Sequence, residues 1–162
     1  MKKNILKRYI LINLYKDSFI KLAVIIKNIK YSSNINTTMS TKIIIIGAGE
    51  VGYNLAKTLS NENYDLTIVD IDSEKCQRII NSIDAHVVCG DGASQRVLQE
   101  IDMSDVDYLL ALTKIDEVNL VVAKSGYEMG AKKIICRLRN TEYSHRNALI
   151  TPDQFGIDHV VY

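Results

Sequence analysis

The stretch that decides the fold is IIIIGAGEVG, residues 43–52, in which four isoleucines run into three glycines at the spacing G-x-G-x-x-G. A continuous β-branched run reads as a strand covered on both faces, because a face open to water would impose alternation with polar residues. Beyond it, Val51, Leu55, Ala56 and Leu59 recur at helical spacing, so the glycines sit between a strand and a helix. In that context Gly47 allows the tight turn off the strand, Gly49 lets backbone approach a pyrophosphate, and Gly52 lets helix and strand pack closely. The helix dipole and the N–H groups of residues 49–51 then favour an anion.

The same alternation continues. Apolar runs at KIIIIG (42–47), DLTIVD (65–70), HVVC (86–89), DYLLALT (107–113) and KIICRL (133–138) read as parallel strands. Between them, Ile79, Ile80 and Ile83 mark the buried side of a second helix, and Val97, Leu98 and Ile101 that of a third. Val118, Val121, Val122 and Met129 are spaced for a fourth. Repeated strand–helix units with right-handed crossovers make an α/β domain, a Rossmann-like doubly wound parallel sheet. Pro152 and its turn residues set off a tail, QFGIDHVVY, that ends on a strand-like run. With no closing element after it, this domain is expected to open a longer protein.

A length of 162 residues and a net charge of +1 suit one globular domain. The charge is unevenly spread: residues 1–38 hold eight Lys and Arg against Asp17 alone, or +7, which leaves −6 for residues 39–162. The first segment also has no Gly or Pro. It reads as a basic extension, disordered or non-native: translated sequence upstream of a start at Met39, a targeting peptide, or an amphipathic surface anchor. Its apolar stretches are too short to span a membrane. Residues 39–162 are the nucleotide-binding domain.

Cys76, Cys89 and Cys136 form no C-x-x-C pair, and His86, His145 and His159 are scattered, so neither disulfides nor a metal are expected. Cys89 and Cys136 end the runs VVC and IIC, where cysteine behaves as a small buried hydrophobe. A reducing cytoplasm is the expected compartment.

Further candidates follow from the rule that ligands of open α/β sheets sit beyond the carboxyl ends of the strands. Asp70 ends the second strand, 18 residues past Gly52, where a carboxylate can take both hydroxyls of an adenosine ribose and repel a 2′-phosphate. The alternative is an N-cap, which Asp72 or Ser73 could equally supply. Thr113 and Lys114 close the fourth strand and Arg137 the fifth, placing a hydroxyl and cations for ribose and phosphate. In the loop GDGAS, residues 90–94, Asp91 is either a turn former or a ligand.

No catalytic residue is assigned. Tyr127 fails as a Y-x-x-x-K reductase tyrosine, because the residue four further on is Ala131. There is no nucleophile elbow, P-loop lysine or carboxylate pair. The nucleotide is therefore expected to be sensed, not consumed. The alternative is an NAD-dependent oxidoreductase fragment without its substrate domain; a third reading is an adenine-nucleotide sensor anchored to a surface by residues 1–38.

The stretches KIIIIGAGEVGYNLAKTLSNENYDLTIVDID, VVCGDGASQRVL, DYLLALTKIDEVNLVVA, RLRNTEY and IDHVVY together resemble the regulator-of-potassium-conductance (RCK) family, which includes the TrkA-type subunits of bacterial Trk potassium uptake. The resemblance covers residues 39–162 and implies the N-terminal lobe of such a domain, cut short at its C-terminus. It implies a non-enzymatic regulatory subunit, peripheral on the cytoplasmic face of the cell membrane. Such a subunit binds NAD(H), or alternatively ATP/ADP, forms a homo-oligomer, and gates a transmembrane potassium-translocating subunit of the TrkH/TrkG type; nucleic acid is not an expected partner. Carried over by position, the phosphate loop is Gly47, Ala48, Gly49, Glu50 and Val51, the ribose carboxylate Asp70, the fourth-strand contacts Thr113 and Lys114, and the phosphate-side cation Arg137. Glu50 stands where the family often has Gln, and Lys114 where it has a small polar residue.

Overall fold

A computed structural model of the chain describes residues 40–62, 64–145 and 148–162. The extension expected over residues 1–38 lies outside the described residues. Strands β1 (Thr41–Ile46), β2 (Tyr64–Asp70), β3 (His86–Cys89), β4 (Tyr108–Ala111), β5 (Ile134–Arg137) and β6 (His159–Val161) alternate with helices α1 (Glu50–Leu59), α2 (Ser73–Ile80), α3 (Gln95–Glu100) and α4 (Asp116–Glu128). All strand pairs are parallel, in the order β3-β2-β1-β4-β5-β6. This is the doubly wound Rossmann order, and it reverses direction beside β1, where a cleft opens.

The isoleucine run explains why β1 is central. Ile43 and Ile45 belong to the core on one face of the sheet, with Leu55 and Ile79, while Ile44 and Ile46 join the core on the other, with Val97, Leu98 and Val122. All four are essentially inaccessible to water, and burying each contributes about 1.5–3 kcal/mol.

Three expectations need correcting. Ile80 is 57% exposed and Val121 is 47% exposed. Each lies about 100° round its helix from a buried neighbour, Ile79 or Val122, on the side turned away from the sheet. The inner stripe of α4 instead carries Asp116, Asn119, Leu120, Val122, Ala123 and Gly126. Cys89 is exposed, because β3 is an edge strand of the sheet; Cys136 in interior β5 is buried as expected, and Cys76 on α2, for which the sequence made no such case, is buried too.

Strand β4 is also shorter than the apolar run 107–113. At its start the Asp107 carboxylate accepts the Lys42 N–H at 2.9 Å, and past its end the Thr113 N–H turns to Asn119 at 2.9 Å. Backbone bonds to β1 continue from the Asp107 and Leu112 N–H groups, to Lys42 and Ile46 at 3.0 and 2.8 Å, and side chains take over beyond them. Among the described residues no helix is long and apolar enough to cross a membrane.

Candidate functional site

The site begins where β1 stops. Gly47 has φ +106°, and a Cβ there would lie 2.9 Å from the Leu112 carbonyl carbon and the Thr113 nitrogen, so both conformation and space require glycine. Gly52 lies under the same turn, where a Cβ would approach the Gly47 carbonyl oxygen to 1.9 Å. The absence of that Cβ lets α1 seat against the strand end.

Gly49 is the N-cap of α1 and offers no side chain to its first turn. The first backbone bond of the helix runs from the Tyr53 N–H to the Gly49 carbonyl at 2.8 Å, so the N–H groups before Tyr53 have no acceptor within the helix. Added to the helix dipole, they make a positive, donor-rich end. A Cβ on Gly49 would meet nothing within 4 Å. The loop therefore keeps open space above its backbone.

Asp70 faces this loop from the end of β2. Its Oδ2 accepts the Ala48 N–H at 2.6 Å, its Oδ1 accepts the Asp72 N–H at 2.9 Å, and the Lys75 ammonium stands 3.7 Å from Oδ1. The capping role belongs to Asp72, which accepts from the N–H groups of Glu74 and Lys75. An ionised carboxylate has about four acceptor positions, so after two backbone bonds Asp70 can still take ribose hydroxyls. Asp91 serves its own turn, accepting the Ala93 N–H at 2.9 Å, and also lines the cleft.

The opposite wall comes from β4, β5 and α4, and Asn119 holds it together. Fully buried, Asn119 accepts from the Thr113 N–H at 2.9 Å and the Thr113 hydroxyl at 2.7 Å, and donates to the carbonyls of Thr113 and Arg137 at 3.1 and 2.8 Å. Thr113 is thus already engaged inside the protein. Arg137 differs: its Nε is buried without a hydrogen-bond partner among the described residues. Asp116 accepts the N–H groups of Arg139 and Asn140 at 2.8 and 2.7 Å, and the Arg139 guanidinium donates to the Lys114 carbonyl.

These walls enclose a cleft of about 630 Å³ at the carboxyl edge of the sheet. Every residue assigned to the site from sequence lines it except Ala48, which is buried and spends its N–H on Asp70. Lys75 and Arg139 also line it and were missed. Arg139 could have been found, since R-L-R places two arginines about a buried leucine; Lys75 and Asn119 act through contacts that only the fold creates. Tyr127 does not line the cleft.

An adenine dinucleotide fits this donor set. The α1 terminus, the unpaired Arg137 Nε and the Lys114 and Arg139 cations suit phosphate, and Asp70 suits a ribose. The volume lies within the range of small-molecule sites.

Residues 43–162 match the family model of the TrkA-N domain. The chain belongs to the TrkA-N family. This TrkA-N chain is 38% identical over 122 residues to the Trk system potassium uptake protein TrkA of Haemophilus influenzae, covering 74% of the chain and 27% of that protein. It thus spans about a quarter of that relative's length. The TrkA-N domain of the Escherichia coli inner membrane protein ybaL superposes with a TM-score of 0.64 at 15% identity, covering 77% of this chain and 89% of that one. The GsuK channel bound to NAD superposes at 0.62 with 16% identity, over 78% of this chain and 22% of the channel, and GsuK has also been solved bound to ADP. Both likenesses show the fold.

Proposed function

We propose that this TrkA-N domain is the nucleotide-sensing part of a potassium-uptake system. It binds NAD(H), with ATP/ADP as the alternative ligand class, through the phosphate loop Gly47, Gly49, Glu50 and Val51, the ribose carboxylate Asp70, and the far-wall groups Thr113, Lys114 and Arg137. Ala48 contributes by holding Asp70. The observation that carries this reading is that Arg137, whose buried Nε has no protein acceptor among the described residues, lines the same cleft as the bare N-terminus of α1. A buried donor of this kind costs about 1–3 kcal/mol unless something accepts from it.

Relatives named as TrkA potassium uptake proteins, and a channel of the same fold captured with NAD and with ADP, support the assignment. In the whole protein the domain assembles as a homo-oligomer on the cytoplasmic face of the membrane, against a potassium-translocating subunit of the TrkH/TrkG type. The nucleotide acts by binding one assembly state more tightly than another, since a ligand of equal affinity for both would shift nothing. Bound and released unchanged, it is a signal.

Calorimetry with NADH, NAD, NADPH, ADP and ATP, run beside an assay for NADH oxidation with candidate hydride acceptors, tests this. Saturable binding without turnover is expected. Substrate-dependent oxidation would instead favour an oxidoreductase fragment, and silence towards every nucleotide would overturn the reading.

A further inference from the structure

Two cysteines flank Asp70. Cys89 is the register partner of Asp70 in the β2–β3 ladder, as Val87 is of Ile68. Val87 and Ile68 pack in the same core as Ile79 of α2, and alternate strand residues share a face, so Cys89 lies on the side that α2 covers. Cys76 is buried on the inner face of α2, and its thiol donates to the Asp70 carbonyl at 3.2 Å. Cys76 and Cys89 therefore stand on the same side of the sheet, both beside the end of β2. Of the two, Cys89 is exposed and Cys76 buried.

We propose that Cys76 and Cys89 are an oxidisable dithiol, converted by a hydroperoxide to an intramolecular disulfide that weakens nucleotide binding at Asp70. The second half of that statement rests on the nucleotide reading; the first does not.

The Cys89 sulfur, which an oxidant reaches first, attacks the peroxide. An S–O bond forms, the O–O bond breaks, and the other peroxide oxygen leaves with the Cys89 proton, as an alcohol or, from hydrogen peroxide, as water. The Cys76 sulfur then attacks that sulfenic sulfur, forming S–S and expelling hydroxide, which leaves as water with the proton of Cys76. Two thiols lose two electrons and one hydroperoxide gains them. Burial first, and then the Cys89 side chain, push the Cys76 thiol up to about 12, so it waits as a thiol.

The link to the site is direct. The Asp70 carbonyl accepts from the Cys76 thiol and from the Gly90 N–H at 2.9 Å. A disulfide has no S–H to donate, so the end of β2 loses one of those two restraints while its carboxylate is shared with the glycine loop. Cys136 supplies an internal control: it is buried in β5, and β2, β1 and β4 lie between it and β3.

The test is to treat the reduced 162-residue chain with hydrogen peroxide under native conditions, map its peptides by mass spectrometry, and titrate both forms with NADH. The expected product lacks two hydrogens and joins Cys76 to Cys89, with Cys136 unmodified. Its NADH affinity should fall by roughly fivefold or more, the lower range of coupling between linked sites, and return on reduction. In Cys76→Ser, Cys89 should accumulate as a sulfenic or higher acid. Over-oxidation of Cys89 in the native chain with Cys76 still a thiol would overturn the proposal, as would a disulfide that leaves NADH affinity unchanged. A reduced chain that forms the disulfide yet binds no nucleotide would support the dithiol and fail the nucleotide reading alone.

Discussion

The Ala48 N–H donates to Asp70 Oδ2 at 2.6 Å, so the carboxylate assigned to the ribose also fixes the loop assigned to the phosphates. Nucleotide recognition and loop geometry share one side chain. Asp70→Ala should weaken NADH by about 1.5–3 kcal/mol, the usual worth of hydrogen bonds to a charged group. NADPH should lose less, because the substitution also removes repulsion of its 2′-phosphate. Paired calorimetric titrations check this, and equal losses for the two would reject the ribose assignment.

Gly49 and Gly52 should respond oppositely to alanine. At Gly49 a Cβ meets no protein atom, and φ −64°, ψ −172° suits any residue, so the poorer N-cap that alanine makes is offset by its stiffer unfolded chain, and Gly49→Ala should fold with an unfolding free energy within about 1 kcal/mol of the parent. Its methyl would occupy the space over the phosphate-facing backbone, and nucleotide affinity should drop. Gly52→Ala drives a Cβ to 1.9 Å from the Gly47 carbonyl oxygen and should cost about 1–3 kcal/mol or more. Urea unfolding separates the two.

Asn119 joins β4, β5 and α4 from within. Asn119→Ala strands the Thr113 N–H and the Arg137 carbonyl, for a loss of about 2–6 kcal/mol at about 1–3 kcal/mol per buried orphan. A loss below about 0.5 kcal/mol would show that water replaces these bonds.

Alkaline stability follows from burial. Burial, helped by Asp116, pushes the Cys136 thiol up to about 12, and burial, helped by Asp107, does the same for the Tyr108 hydroxyl. The unfolded chain releases these protons at the groups' ordinary values of 9.0 and 10.0, while the native chain keeps them. Stability is therefore intact below about pH 9 and falls towards about pH 12, by about 1.4 kcal/mol per pH unit for each group titrating. Cys136→Ala should flatten the first part of that fall; an unchanged slope would contradict the assignment.

The strand, turn and helix of residues 43–59 were legible because their signals are local: a buried run, three glycines and an apolar stripe. Asp70 was legible for the same reason, as the polar residue closing an apolar strand. Asn119 was not, since its partners Thr113 and Arg137 lie 6 and 18 residues away on separate strands. Lys75 reaches Asp70 only because the chain reverses through Asp72, and Ile80 reads as core until a helix has to choose between it and Ile79. Thr113 carries the chemistry expected of it, but the fold directs its hydroxyl towards Asn119.

The most direct test is to titrate the isotope-labelled chain with NADH and follow its backbone amide resonances. The account predicts saturable shifts concentrated at residues 47–52, 70–72, 113–114 and 137–139, with α3 and β6 unmoved. No shift at any NADH concentration, or shifts centred away from the carboxyl edge of the sheet, would contradict it.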